Sequence, residues 1–232
     1  MKLSEILTAT QYPVTIPSTG EQTTFRAFIV KEEKALLIAH ESEDAAIQLA
    51  TLNSVVTACL ANKPKALTSF DLEYLFLMIR SQSVGEIQEM NGTCGHCGAV
   101  TTFGVDMSKA VVVLPDQPST MLKITKNLAV KMRYPTVDQL AGIANETNET
   151  KKKFKAIAAS IETVFFGDHV IHTNDTTEEE IISFLDNRTD EEFEPIANFI
   201  NTVPTVQLDT QFKCLSCGHD NLVELRTLSD FF

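Results

Sequence analysis

Thr93-Cys94-Gly95-His96-Cys97-Gly98 and Lys213-Cys214-Leu215-Ser216-Cys217-Gly218-His219 decide how the rest of the chain reads. Each is a Cys-x-x-Cys turn followed by glycine, set between runs that alternate like β-strands. Ile87, Glu89 and Asn91 precede the first turn, and Thr101, Phe103 and Val105 follow it. A zinc ion takes four soft ligands in a tetrahedron, and one such turn supplies two of them. Cys94, Cys97, Cys214 and Cys217 therefore make up a complete site for one zinc ion. Its role is structural, because four thiolates leave no open position for water. Since 116 residues lie between Cys97 and Cys214, the metal would tie together distant parts of the chain.

Two blander readings stand beside zinc. A redox disulfide inside either turn calls for a strand-to-helix junction in a βαβ pattern, whereas strands flank these turns on both sides. The thiols could also simply be unliganded. His96 and His219 lie close enough in sequence to substitute as ligands, but with four thiolates in place they read as flanking groups. Cys59 stands in an apolar stretch with Val55, Val56 and Leu60 and reads as a small core residue.

The bulk composition is that of an ordinary globular protein: 44% hydrophobic and 22% charged over 232 residues. A formal net charge of −12 argues against nucleic acid as partner, because Lys and Arg neutralising phosphates supply most of that affinity. A zinc-ribbon protein associated with nucleic acid or transcription is the alternative that the two turns alone would allow. No apolar run approaches the length of a membrane span, and Met1-Lys2-Leu3-Ser4-Glu5 lacks a signal-peptide pattern. Five cysteines in thiol-metal spacing point to a reducing compartment.

Outward from the two turns, the pattern predicts an α+β fold, mainly helical with β-hairpins. Tyr12–Pro17 and Thr23–Val30 flank Ser18-Thr19-Gly20 as a hairpin. Helices follow from near Lys31, from Ser42 to Asn62, and from a capping box at Thr68-Ser69-Phe70-Asp71. Val111–Pro118 reads as a linker because of its two prolines. Beyond it, Met121–Thr125 and Leu128–Tyr134 read as strands, and a helix is capped by Thr136. A second helix runs from Lys151 to Phe166, and two more open at Thr177 and Thr189 ahead of Glu180 and Glu192.

The second half thus repeats the order of the first: hairpin, helices, Cys-x-x-Cys hairpin. Arg26 matches Arg133 at a shift of 107 residues, and Cys94 and Cys97 match Cys214 and Cys217 at a shift of 120. The segment around Gly167–Glu179 has no counterpart in the first half. An internal duplication, with halves 1–114 and 119–232 packed as one unit, would bring the two turns together at one end.

Sets that would support catalysis are missing. There is no glycine-rich phosphate loop, nucleophile elbow or His-Glu-x-x-His helix. His169-Val170-Ile171-His172 places two imidazoles three apart, which in extended chain face opposite sides and read as a polar surface loop. The chain reads as a non-enzyme without a small-molecule substrate.

Ile16-Pro17-Ser18-Thr19-Gly20, Phe25 through Lys34, and Phe70 through Leu77 with Arg80, Ser81, Ser83, Val84 and Gly85 carry a family likeness. They resemble the baseplate hub proteins of T-even-like contractile-tailed bacteriophages, most strongly over residues 13–105. The paired Cys-x-x-Cys turns are also similar to what members of that family carry. The resemblance implies a structural or assembly protein of the tail baseplate hub, with other hub and tail proteins as partners. It would be located in the virion baseplate, in the host cytoplasm during assembly, or in both.

Overall fold

A computed structural model describes residues 9–114 and 120–226. The chain opens with the antiparallel hairpin β1 (Tyr12–Thr15) and β2 (Gln22–Phe25), turned through Gly20. Three helices follow: α1 (Val30–His40), α2 (Ala45–Cys59) and α3 (Ser69–Val84). Local chemistry sets their starts. The Asp44 carboxylate accepts from the Ile47 amide to begin α2, and Thr68 and Asp71 exchange hydrogen bonds across the first turn of α3.

Helix α3 is the spine of the molecule, and several of its faces are buried. Leu72, Leu75, Phe76 and Ile79 pack with Val14, Ile16, Phe25, Val56 and Leu60 in a first core. Leu77 points the other way, into a core with Val105, Met107, Val206, Leu208 and Leu225. Asp71 is fully buried yet satisfied, accepting from the Ser18 amide at 2.8 Å and the Thr68 hydroxyl at 2.7 Å.

The hairpin β3 (Ile87–Thr93) and β4 (Val100–Asp106) carries the first Cys-x-x-Cys turn. Next come β5 (Val111–Val113), β6 (Met121–Lys123), β7 (Leu128–Met132), α4 (Val137–Ile143) and α5 (Glu149–Ala159). Then follow β8 (Ile161–Phe166), β9 (His169–His172), α6 (Glu178–Asp186) and α7 (Asp190–Asn198). The hairpin β10 (Thr205–Lys213) and β11 (Asp220–Leu225) holds the second turn. Strands β6-β7-β8-β9 form one antiparallel sheet, against which α5, α6 and α7 bury Ile157, Leu185 and Ile196. The α+β class therefore holds.

Three expectations need correction. The helix expected to run on to Phe166 ends at Ala159, and Ile161–Phe166 is the central strand β8. A run of Ile, Thr, Val and two Phe favours a pleated strand, and Ser160 caps the helix before it. His169–His172, expected as a loop, is the exposed edge strand β9, with His172 Nδ1 3.2 Å from the Thr163 hydroxyl. Val111–Val113, read as part of a linker, pairs antiparallel with β10; the remainder of that expected linker, from Pro115, lies outside the described residues.

The two halves interlock. Val137 N–H donates to Leu67 O at 2.8 Å, and Asn53 Nδ2 donates to Asp138 at 3.1 Å. Phe70 of α3 meets Tyr134 edge-on, and Tyr134 stacks on Phe199.

Candidate metal centre

The two hairpins pack face to face. Phe103 of β4 and Phe212 of β10 stack at 4.6 Å between ring centroids, and Gly92 of β3 faces this stack. A Cβ at Gly92 would lie 2.7 Å from Phe212 Cζ and 2.9 Å from Phe103 Cε1, so only glycine lets the hairpins close this far. This approach sets the two Cys-x-x-Cys turns against each other at the hairpin tips.

The turns share one backbone design. Cys94 N–H donates to Ala99 O and Gly98 N–H to Cys94 O, both at 2.9 Å. In the second turn Cys214 N–H donates to His219 O and Gly218 N–H to Cys214 O, again at 2.9 Å. Gly98 and Gly218 both adopt the left-handed region, at φ +72 and +73, which a side chain would strain.

All four sulfurs lie within 4.8 Å of one another. Cys94 Sγ is 3.7 Å from Cys217 Sγ, and Cys97 Sγ is 3.7 Å from Cys214 Sγ. A tetrahedron with metal–sulfur bonds of about 2.3 Å has sulfur–sulfur edges of about 3.8 Å. The sulfurs are therefore spaced as metal ligands, and none is in a disulfide. Cys94 and Cys214 are buried, whereas Cys97 and Cys217 face solvent.

Electrostatics prepares the cluster for a cation. The Cys217 and Ser216 amides point at Cys214 Sγ, and the first of these is the main reason its thiol falls to about 6. Burial works against the Cys94 thiolate. The amides of Cys97 and His96, with the Asn221 side chain, outweigh it and hold that thiol below its ordinary value. Cys217 receives the His219 amide, but its three sulfur neighbours push it up to about 12. Four thiolates cannot share so small a space without positive charge at its centre, which a divalent ion supplies. Cys59 lies elsewhere, in the first core beside Arg26, where burial raises its thiol to about 11; it is inert packing.

The expected ligands thus all meet. His96 and His219 do not join them; their rings stack on each other at 5.4 Å over the tips. One residue escaped the sequence reading. Asn221 accepts from Gly95 N–H at 3.0 Å and donates through Nδ2 to Cys94 Sγ at 3.6 Å and His219 O at 3.0 Å. An asparagine two residues past a turn gives no signal until the hairpins are seen to pair.

The chain is thus an α+β protein in which two paired hairpins bring four distant cysteines together at their tips. The chain matches the family described as T4 bacteriophage base plate protein over residues 9–232, and it belongs to that family. The baseplate hub assembly protein gp26 of Enterobacteria phage T4 is 23% identical over 207 residues, covering 89% of this chain and 90% of that protein. No solved structure matches the chain.

Proposed function

We propose that this protein is a non-enzymatic component or assembly factor of a phage tail baseplate hub, rigidified by one zinc ion on Cys94, Cys97, Cys214 and Cys217. The observation that carries this reading is similarity to a hub assembly protein along nine-tenths of that protein's length. Its partners are other hub and tail proteins, and it acts in the host cytoplasm during assembly or in the finished baseplate. Zinc suits the site because it holds four thiolates in a closed tetrahedron and undergoes no redox change. Folded in this way, the two halves 1–114 and 119–232 act as one rigid body. Helix α1 suits a protein that works through contacts, because Val30, Leu37 and Ile38 share one face and are each more than half exposed.

Co-expression with the neighbouring hub and tape-measure proteins of the same phage tests the function. A stable complex that Leu37→Asp weakens is the expected result, and failure to co-purify with any of them overturns it. Elemental analysis of protein purified in metal-free buffer tests the metal separately. One zinc per monomer is expected, and a zinc-free folded monomer refutes the staple.

A further inference from the structure

The two halves use the same arginine joint. Arg26 follows β2, its amide donates to Cys59 O at the end of α2, and its guanidinium donates to Ala58 O at 3.2 Å. Arg133 follows β7, its amide donates to Ser160 O at the end of α5, and its Nε donates to Ala159 O at 3.3 Å. The residues just before them pair in the same sense, Phe25 with Leu60 and Met132 with Ile161. Three residues after each arginine a helix is capped by the side chain at its third position. Glu32 accepts from Ile29 N–H at 2.8 Å, and Gln139 accepts from Thr136 N–H at 3.0 Å.

The joints differ in one group. In the first half Glu32 also holds Arg26 through both oxygens, at 2.7 and 3.0 Å. In the second half the equivalent residue is the neutral Gln139. Its one acceptor oxygen is taken by the Thr136 amide and hydroxyl, at 3.0 and 3.2 Å, and its nitrogen is a donor like the guanidinium. Among the described residues no carboxylate lies within ion-pair distance of Arg133, whose remaining side-chain contact is Asn174 Oδ1 at 3.4 Å. Arg133, Gln139 and Asn174 line a cavity of about 350 Å³. Two acidic residues also line it, and each has a partner: Asp138 accepts from Asn53 at 3.1 Å, and Glu178 pairs at 3.4 Å with Lys155, a second cation on the same wall.

We propose that this cavity is a carboxylate-binding site, in which an external carboxylate takes the place that Glu32 fills in the first half. The guanidinium offers its planar fork to two oxygens, and the Gln139 amide adds a third donor. The carboxylate could come from an acidic side chain of a protein partner or from a free organic acid.

The test is a titration of the full-length protein, followed through the Arg133 Nε–H and Gln139 Nε2 resonances by NMR. Acetate and a capped Gly-Glu-Gly peptide serve as probes, each against sodium chloride at equal ionic strength. Saturable shifts at these two side chains, beyond those of chloride, are the expected result. Stronger binding of the peptide assigns the site to a protein partner, and equal or stronger binding of acetate assigns it to a small acid. Gln139→Glu rebuilds the first-half arrangement and keeps the helix cap. It should raise the melting temperature and weaken either probe at least tenfold. Wild-type resonances that respond to neither probe beyond chloride overturn the proposal.

Discussion

Asn221 ties both Cys-x-x-Cys turns together with one side chain, touching Gly95, Cys94 and His219. Hydrogen bonds of this kind around a metal typically contribute 10- to 100-fold to its affinity. Asn221→Ala should therefore weaken zinc about tenfold in a chelator competition while the chain stays folded. Asn221→Asp should weaken it more, because a second anion replaces a donor beside the Cys94 sulfur. Cys94→Ser and Cys214→Ser each open the same site and should lower the denaturation midpoint by similar amounts. A folded, zinc-bound variant of either would show that the turns do not share an ion. Glu73, partly buried on α3, makes a different kind of prediction. Burial pushes its carboxyl up to about 7, so the folded state prefers it protonated. Stability from this group is fully present below its ordinary value of 4.5 and is lost as pH rises through about 7. Glu73→Gln should then be more stable than the wild type by about 3 kcal/mol at pH 8.5, with the difference gone near pH 4.5. Parallel urea titrations across that range measure it.

Among the elements, the β3–β4 and β10–β11 hairpins depend on a close approach. Gly92→Ala forces a methyl against the Phe103–Phe212 stack and should cost about 1–3 kcal/mol in denaturant unfolding. Elements with their own local signal were legible from the sequence. Thr68-Asp71, Thr136-Gln139, Thr177-Glu180 and Thr189-Glu192 each cap a helix where the spacing says they should. The grouping of the four cysteines was legible as well, because Cys-x-x-Cys fixes two sulfurs in any context. Elements whose structure comes from distant partners were not. Val111–Val113 has the composition of a strand, but only β10, far along the chain, makes it one. Ile157, Ile161, Val164 and Phe165 fit a helical stripe as well as a strand. The sheet neighbours β7 and β9 decide for the strand from Ile161 onward. Asn221 was hidden for the same reason, since all its meaning lies across the gap between hairpins.

Across the whole molecule, the described residues form three cores, which should respond differently to removal of the proposed zinc. The first belongs to the first half, apart from Val137, and the second wholly to the second half; neither draws on the paired hairpins. The third core, with Val105, Leu208 and Leu225, depends on them. Chelation should therefore strip amide protection from β3, β4, β10 and β11 first, leaving α2, α3, β7 and β8 protected. Hydrogen exchange with and without chelator reads this directly, and uniform loss across the chain would show the cores to be one cooperative unit. The long separation of the two turns also has a consequence in time. Cys97 and Cys214 are 117 positions apart, and a ribosome adds roughly 5–20 residues per second. The first hairpin thus waits on the order of 6–23 s with half a site, its thiols bare to metals and oxidants, before its partner is synthesised. Conditions in the host during that interval, rather than in the finished particle, would then decide which ion the proposed staple closes around.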